Sequence, residues 1–492
     1  MSGYDFDIIV IGAGAAGLTV ASGCAQLGVK TLLVEKENQL GGDCLHYGCV
    51  PSKTLLHTAK VYYQAGHMER FGLPRVELPP VDYSRITRRI REVIETIQKH
   101  DSEERFCSLG VRVEYGNPEF LDGQTIRIGG RDFSSRKFVL ATGSSPAAPP
   151  INGLDRINYL TNREIFSMDK LPSRLVILGA GAIATEMAQA FSRLGSKVSV
   201  IQRSDQILSN EDRDMAEEIQ KRLEQEGVQY YLNTSIKEVR EKEGEEQEVA
   251  FLDANGQEQT VRGDKVLVAL GRKPNLEGLN LEAAGVEYSK RGVPVDEKMR
   301  TNKKNIYAAG DVTGKHLFTH AAGYEGGIII SNAAFHLPRK VDYTLLPWCI
   351  YTQPEFAGIG YNEKRAEEAE IDYQVWTENF SSNDRSLAEG EKGGRIKLIL
   401  DSREKPLGVQ ILGPHAGELI SEWVAALNAG MKMTTLVSSV HPYPTLAEIN
   451  KAVAGKFLQP KIFSRRVQKL LKFFFHFKGR ACEPSTDSGK TG

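Results

Sequence analysis

The chain has 492 residues, which is too long for one ordinary hydrophobic core and predicts two to four domains. Its composition, 41% hydrophobic and 25% charged, is that of a globular protein and excludes the disordered and fibrous classes. The net charge of −1 gives no reason to expect a nucleic acid as partner.

The cysteine content and the N-terminus indicate the compartment. Six cysteines are sparse for this length, and the first apolar run begins near residue 6, without the charged region and cleavage site of a secretory signal. No apolar stretch reaches the roughly 18 residues that span a bilayer. We therefore expect a reducing, cytoplasmic setting, where a persistent disulfide is usually catalytic or redox-sensing.

The N-terminal segment has the pattern of a strand, a glycine turn, a helix and a second strand. The glycines are Gly12, Gly14 and Gly17, and the second strand ends in Glu35, 23 positions beyond Gly12. In this context G-x-G-x-x-G binds a dinucleotide, because the glycines let the backbone approach a pyrophosphate at the helix N-terminus. The acid accepts a hydrogen bond from a ribose 2′-hydroxyl.

The next segment carries Cys44 and Cys49, with Pro51 shortly after. Proline is tolerated in the first turn of a helix, so the pattern predicts that a helix begins near the second cysteine. A thiol there has a lowered pKa because it lies at the positive end of the helix dipole. A structural disulfide closing so short a loop would contribute only about 2 kcal/mol. No second Cys/His pair follows at zinc-finger spacing, so we predict a redox pair and no metal site.

A similar unit begins 167 positions downstream, with Gly179 and Gly181. Two such units predict two nucleotide-binding domains, each with a mostly parallel sheet. The position that corresponds to Glu35 is Gln202, followed by Arg203. Without the carboxylate nothing repels a 2′-phosphate, and a guanidinium can bind one, so the second site is expected to favour NADPH over NADH. The alternative is that Arg203 is a solvated loop charge.

The C-terminal part has two textures. From about Tyr343 alternating strand-like runs predict a third, α+β domain, and residues 461–492 hold 8 Lys/Arg against 2 Asp/Glu. Residues 463–480 mix these basic residues with Phe and Leu, as an amphipathic helix at a membrane surface would. The alternative is a helix packed on the body of the protein with a solvated basic face.

Cys-x4-Cys-Val-Pro-Ser-Lys after a dinucleotide fingerprint resembles the class I flavoprotein pyridine nucleotide-disulfide oxidoreductases, and the resemblance covers residues 5–455 in order. It is closest to mercuric reductase and dihydrolipoamide dehydrogenase. It implies an α/β homodimer with two Rossmann-like dinucleotide-binding domains and a C-terminal α+β dimerisation domain. The implied division is an FAD-binding domain at 1–150 and 275–340, an NAD(P)-binding domain at 151–274, a dimerisation domain at 341–460 and a basic, partly disordered tail at 461–492.

The resemblance also implies residue roles. Cys49 would be the thiolate next to the flavin, and Cys44 the exposed thiol that meets the substrate. Lys53, paired with Glu186, would stabilise the reduced flavin electrostatically near its N5 atom. The further implied contacts are Gly12, Gly14, Gly17, Glu35, Gly42, Gly116, Ala141, Thr142, Gly143, Gly310 and Asp311 for FAD, and Gly179, Gly181, Ile183, Gln202, Arg203 and Gly271 for the nicotinamide cofactor.

One segment departs from the disulfide-reducing relatives, in which a histidine of the partner subunit shuttles protons to the thiols. When Thr445 and Glu448 are aligned with the relatives' threonine and glutamate, Tyr443 takes the histidine's place. A phenol with a pKa near 10 is protonated at pH 7, whereas an imidazole has a pKa near 6.5, so Tyr443 is a poor base. His441, two positions earlier, is the alternative proton carrier.

The acceptor of the electrons is the open part of the prediction. A tyrosine at this position resembles mercuric reductase, but the C-terminal cysteine pair of that family is reduced here to Cys482. We expect electrons to pass from the nicotinamide through FAD to the Cys44–Cys49 disulfide and on to a small acceptor: a disulfide, a soft metal ion such as mercuric, or a quinone-like molecule. The alternatives are an NAD-linked dihydrolipoamide dehydrogenase and a membrane-docked electron-transfer partner that uses the tail.

Overall fold

The computed structural model describes residues 3–242 and 246–482. The elements of the N-terminal part are β1 (Phe6–Ile11), α1 (Ala15–Gln26), β2 (Thr31–Glu35), α2 (Gly42–His46), α3 (Cys49–Ala65), α4 (Tyr83–Gln98), α5 (Glu103–Ser108), β3 (Val111–Tyr115), β4 (Pro118–Asp122), β5 (Thr125–Ile128), β6 (Arg131–Leu140) and β7 (Ser144–Pro146).

The second nucleotide unit follows. Its elements are β8 (Arg174–Leu178), α6 (Ala182–Leu194), β9 (Lys197–Ile201), α7 (Arg213–Gln225), β10 (Gln229–Tyr231), β11 (Ser235–Glu241), β12 (Gln247–Leu252), β13 (Glu258–Gly263), β14 (Lys265–Val268) and β15 (Arg272–Pro274). Strands β10, β9, β8 and β14 form a parallel sheet in that order. Strands β11, β12 and β13 form a separate antiparallel sheet.

The remaining elements are β16 (Ile306–Ala308), α8 (Thr319–Ala333), β17 (Trp348–Ile350), β18 (Glu355–Gly360), α9 (Glu363–Glu368), β19 (Tyr373–Asn379), α10 (Asp384–Ala388), β20 (Arg395–Asp401), β21 (Pro406–Gly413), α11 (Ala416–Asn428), α12 (Met433–Ser438), α13 (Glu448–Ile462) and α14 (Arg465–Phe475). Strands β17, β18, β21, β20 and β19 form an antiparallel sheet in that order.

The first sheet is assembled from two distant stretches of the chain. Strand β1 lies between β2 and β6 and pairs in parallel with both. Strand β16 comes from beyond the second nucleotide unit and also pairs in parallel with β6. The second nucleotide unit is therefore inserted into the chain that builds the first sheet.

The uninterrupted apolar run of β1 is explained by burial on both faces of the sheet. Ile8 and Val10 pack in a cluster with helices α1 and α8, whereas Ile9 and Ile11 pack in a second cluster with β4 and β5. A strand covered on both faces needs apolar residues at every position. The predicted fold class, two Rossmann-like domains and an α+β dimerisation domain, is confirmed.

A buried lysine joins the second nucleotide unit to the C-terminal sheet. The Lys397 ammonium donates to Asp212 at 3.1 Å and to Asp214 at 2.7 Å, and it is also paired with Glu363. Lys397 and Asp212 are both buried. The lysine supplies the positive charge that balances these carboxylates. The cluster is therefore a structural contact between the second nucleotide unit and the C-terminal part.

The tail is helical over α14, and no helix among the described residues is long and apolar enough to cross a membrane. The sequence predicts partial disorder for residues 461–492. Of these, residues 483–492 lie outside the described residues.

Candidate redox-active site

The first glycine turn brings three backbone segments together. Gly12 has φ +103°, and a Cβ atom there would lie 2.4 Å from the carbonyl oxygen of Ala141. Gly42 has φ +63°, and its Cβ atom would lie 2.7 Å from the Cα atom of Gly14. Side chains are therefore excluded where the strand turns, the cysteine segment and the end of β6 converge. Such a cradle of bare backbone at the start of α1 suits a pyrophosphate, as the predicted FAD site requires.

Glu35 is fixed at this turn by backbone donors. Its carboxylate accepts hydrogen bonds from the amides of Ala13, at 2.7 Å, and of Glu37, at 2.9 Å. In the second unit the Gln202 side chain accepts from the amide of Ala180 at 3.2 Å, so it occupies the corresponding place. The two units therefore share one geometry at this turn, and they differ in charge at this position.

A cavity of about 960 Å³ extends from the first glycine turn to the second. The predicted site residues that line it are Gly12, Gly14, Glu35, Gly42, Cys44, Cys49, Lys53, Ala141, Thr142, Gly143, Gly181, Ile183, Glu186, Gly271, Gly310 and Asp311. Its walls come from both nucleotide units and from the start of the C-terminal part, so residues far apart in the sequence share one space.

Some predicted site residues are not part of the cavity wall. Within the described part of the chain these are Gly17, Gly116, Gly179, Gln202, Arg203, Tyr443 and Glu448. A Cβ atom at Gly17 would lie 1.8 Å from the carbonyl oxygen of Gly12, so this glycine lets α1 pack against the turn. The amide of Gly116 donates to the carbonyl of Glu35 at 2.8 Å.

Gly179 and Arg203 have different surroundings in the second unit. Gly179 has φ +100°, and a Cβ atom there would lie 2.6 Å from the carbonyl oxygen of Ala269, which matches the geometry of Gly12. The Arg203 side chain is exposed and makes no ion pair with any described residue. Its charge is therefore available to a ligand at this edge of the unit.

The two cysteines lie on separate helices. Cys44 is within α2, and Cys49 is the first residue of α3, where the sequence predicts a helix start. Gly48 allows the close approach, because its Cβ atom would lie 3.0 Å from the carbonyl oxygen of Asp43. Both cysteines are free thiols in this structure. The Cys44 thiol donates a hydrogen bond to the Cys49 sulfur.

The hydrogen bond between the sulfurs makes them unequal. It lowers the pKa of Cys49 to about 6, with further lowering from Thr319 and from the charge of Lys53, against opposition from burial and Glu186. The same hydrogen bond, together with burial, raises the pKa of Cys44. Cys49 therefore holds the negative charge at pH 7, while Cys44 keeps its proton.

Both cysteines line the wall of the large cavity, Cys49 at the start of α3 and Cys44 within α2. Which of the two thiols meets the substrate stays a prediction.

Lys53 and Glu186 form a half-buried ion pair on the cavity wall. The Lys53 ammonium lies 2.8 Å from one Glu186 carboxylate oxygen and 3.0 Å from the other. The amide of Tyr351 donates to the same carboxylate at 2.9 Å, and the ammonium lies 4.5 Å from the centre of the Tyr351 ring. Three segments of the chain therefore hold the Lys53 charge in place. The predicted pairing of Lys53 with Glu186 is present.

A polar network ties the cysteine segment to the second unit. Arg272 donates to Asp43 at 2.9 Å and to the hydroxyl of Ser144 at 2.7 Å. The Ser144 hydroxyl in turn donates to Asp311 at 2.6 Å, and burial raises the pKa of Asp311. Sequence reasoning missed Asp43, Ser144 and Arg272. The only signal was adjacency, since each is next to a predicted site residue.

Thr319 is the other residue that sequence reasoning missed. Thr319 is the first residue of α8 and lies 270 positions after Cys49 in the sequence. Its hydroxyl lies 3.4 Å from the Cys49 sulfur. No motif or spacing marked it, because the contact exists only after α8 has folded against α1.

Tyr443 and Glu448 lie apart from the sulfurs of their own protomer. Tyr443 is exposed, and its hydroxyl donates to Asp384 at 2.9 Å, which raises the pKa of the phenol. Glu448 accepts from the amide of Thr445 at 3.3 Å. The ring of His441 is held 2.9 Å from Glu422, on its own domain.

The fold, the two glycine turns and the unequal thiols define a flavoprotein disulfide reductase. A family model for pyridine nucleotide-disulphide oxidoreductases matches residues 6–326, and the model of that family's dimerisation domain matches residues 346–454. The chain belongs to the pyridine nucleotide-disulphide oxidoreductase family. FAD and NADH or NADPH are typical cofactors of this family, and the dimerisation domain suggests a homodimer.

Similar proteins differ in what they act on. A mercuric reductase of Staphylococcus aureus is 34% identical over 92% of this chain and 82% of its own length. A dihydrolipoyl dehydrogenase of Geobacillus stearothermophilus is 34% identical over 90% of this chain and 94% of its own. The Cu(II) complex of the HOCl-induced flavoprotein disulfide reductase RclA from Escherichia coli is similar in structure, with a TM-score of 0.82, 26% identity and coverage of 92% and 99%.

Replacement of Thr319 by valine is expected to raise the pKa of Cys49 from about 6, because the hydroxyl no longer donates to the sulfur. A hydrogen bond to a charged group contributes roughly 1.5–3 kcal/mol, and one pH unit corresponds to about 1.4 kcal/mol, so the midpoint should rise by about one unit or more. The thiolate exists above this pKa, so its fraction at pH 7 falls in the variant. The rate of Cys49 alkylation in the reduced protein, followed against pH, measures the midpoint.

Thr58→Val is the matched control for this change. The Thr58 hydroxyl donates to the carbonyl of Thr54 on the same helix as Cys49, at 2.9 Å. Its profile should match the wild type. Coincident profiles for Thr319→Val and the wild type would show that the hydroxyl does not stabilise the thiolate.

Proposed function

We propose that this chain is an FAD-dependent, NADPH-preferring reductase in which electrons arrive at Cys49 and leave through Cys44 to a soft metal ion. The observation that supports the arrival of electrons at Cys49 is the position of the Lys53 charge relative to the two sulfurs. Lys53 follows Cys49 by four positions on α3, so the two side chains share one face of that helix, and the Lys53 charge lowers the pKa of Cys49. Cys49 is thus the sulfur on the Lys53 side of the cavity, where the resemblance places the flavin.

The residues of the cavity support the cofactor assignment. Gly12, Gly14 and Gly42 would hold the pyrophosphate of FAD, Glu35 its ribose and Asp311 its ribityl chain. When bound, FAD supplies a two-electron relay between the nicotinamide and the sulfur pair. Lys53 places a positive charge beside this relay, and Glu186 holds that charge in position.

The chemistry of the sulfur pair and of Tyr443 favours a metal over a disulfide as acceptor. Exchange with a disulfide requires a base for the Cys44 proton and an acid for the departing thiol. Tyr443 is protonated at pH 7 and bonded to Asp384, so a partner subunit's Tyr443 is a poor base. A soft metal ion instead binds both sulfurs as thiolates and displaces the proton itself.

The overall reaction balances with a divalent soft ion. NADPH and one mercuric ion give NADP⁺, a proton and metallic mercury, which is a two-electron transfer. With Cu(II), one NADPH reduces two ions to Cu(I). The name of the mercuric reductase relative and the Cu(II) complex of RclA support this class of acceptor. Because another relative is a dihydrolipoyl dehydrogenase, lipoamide is the competing candidate substrate.

We also propose a reducing, cytoplasmic location. Six cysteines are sparse for 492 residues, and a disulfide that persists in a reducing compartment is usually catalytic or redox-sensing, as proposed for Cys44 and Cys49.

Replacement of Cys44 by serine should leave reduction of the bound flavin by NADPH intact and abolish turnover with metal ions, because the electrons have no exit. Steady-state NADPH oxidation with Hg(II), Cu(II), lipoamide, oxidised glutathione and a soluble quinone compares the acceptors. Cys107→Ser, at an exposed cysteine outside the cavity, is the control and should behave as wild type. Faster turnover of lipoamide than of either metal ion, or metal turnover by Cys44→Ser, would contradict the proposal.

The second-unit residues should set the preference for NADPH. The double substitution Gln202→Glu with Arg203→Ala is expected to lower the NADPH/NADH ratio of kcat/KM by about tenfold or more. A carboxylate repels the 2′-phosphate, and loss of a charge-assisted hydrogen bond removes roughly 1.5–3 kcal/mol. Arg156→Ala, at another exposed arginine, serves as control. A wild-type preference for NADH would overturn this assignment.

A further inference from the structure

The last described helix, α14, packs little against the rest of its own protomer. It spans Arg465–Phe475, and the Ser464 hydroxyl caps it by accepting from the amide of Val467 at 3.3 Å. Within the described residues, no side chain of this helix is buried. A capped helix whose apolar side chains all remain accessible is unusual, because burial of an apolar face normally stabilises a helix of this length.

The apolar residues follow the helical repeat. Those separated by three, four and seven positions are Val467, Leu470, Leu471 and Phe474. Residues at this spacing share one face of an α-helix. Phe474 is 66% exposed and Leu470 is 55% exposed, so the face is open to solvent in the isolated protomer.

The opposite face is basic. It carries Arg465, Arg466, Lys469 and Lys472. No acidic residue occurs between positions 461 and 482, and Lys478 and Arg480 extend the positive charge beyond the helix. The segment therefore joins an apolar face to a face whose charges are all positive, which matches a surface that is negatively charged outside and apolar beneath.

The aromatic residues distinguish a lipid surface from a protein groove. Phe473 is 73% exposed and lies on the basic face, at the spacing of Arg466 and Lys469, while Phe475 and Phe477 are also exposed. A groove on a second copy would cover one face and leave such residues in water. At a bilayer interface, aromatic rings on the flanks of the helix also enter the headgroup region, and long lysine stems reach the phosphates.

From these observations we infer that α14 and the residues up to Arg480 form a docking surface for a bilayer rich in anionic phospholipid. The apolar face lies at the boundary of headgroups and acyl chains, and the basic residues contact lipid phosphates. This surface is separate from the redox cavity and does not depend on which acceptor is reduced.

Co-sedimentation of the full-length holoenzyme with vesicles tests the inference. Binding is expected to vesicles of phosphatidylcholine mixed with phosphatidylglycerol, and to be at least about tenfold weaker to phosphatidylcholine alone, since each Lys or Arg near an anionic surface contributes about fivefold. Salt near 1 M, where the Debye length is about 3 Å, should release the protein. A variant that ends at Phe463 should not sediment, and equal sedimentation of this variant would overturn the inference.

Face-specific variants identify which side of the helix is buried. Leu470→Ser with Phe474→Ser is expected to weaken vesicle binding by about tenfold or more, because two apolar side chains no longer enter the lipid. Gln468→Ser, on the polar side of the same helix, is the control and should leave vesicle binding as in the wild type. NADPH oxidation should be unchanged in all of these variants, which shows that the rest of the protein is folded.

The competing occupant is the partner subunit, and the same variants exclude or establish it. If α14 packed on a second copy, the double serine variant would shift the monomer–dimer equilibrium in sedimentation velocity and leave vesicle binding as it was. That result would contradict the lipid docking surface. Reduced vesicle binding with an unchanged dimer supports it.

Discussion

The ion pair between Lys53 and Glu186 is the contact on which the redox site depends. It joins α3 of the first nucleotide unit to α6 of the second, and Tyr351 adds a segment of the C-terminal part through its amide and its ring. The pair is therefore one of the contacts that hold the three parts together around one cavity. It also places a positive charge close enough to lower the pKa of Cys49. The same ion pair thus contributes both to the packing around the cavity and to the charge of Cys49.

The two sulfurs acquire different tasks from this arrangement. Cys49 receives a hydrogen bond from Cys44, a contact from Thr319 and the field of Lys53, and all three favour its thiolate. Cys44 donates to its neighbour and keeps its proton. Two chemically identical residues five positions apart thus become a charged sulfur and a neutral sulfur. Helix position contributes to this difference, because Cys49 begins α3 and Cys44 does not.

The sequence was sufficient where short segments decide the structure, and insufficient where distant segments meet. The glycine turns, the helix start at Cys49 and the Lys53–Glu186 pair follow from local motifs and family resemblance. Thr319 was missed because its contact with Cys49 requires a helix 270 positions away. The hydrogen bond from Tyr443 to Asp384 on α10 likewise joins residues that are far apart in the sequence.

Absorbance spectroscopy of the anaerobic holoenzyme, reduced with one equivalent of NADPH, measures most directly whether Cys49 carries the charge beside the flavin. A thiolate in contact with the flavin gives a long-wavelength charge-transfer band. At pH 7 the band should appear in the wild type and vanish in Cys49→Ala, and it should fade as the pH falls through about 6. A band that persists in Cys49→Ala would contradict the assignment of the two sulfurs and the electron path that rests on it.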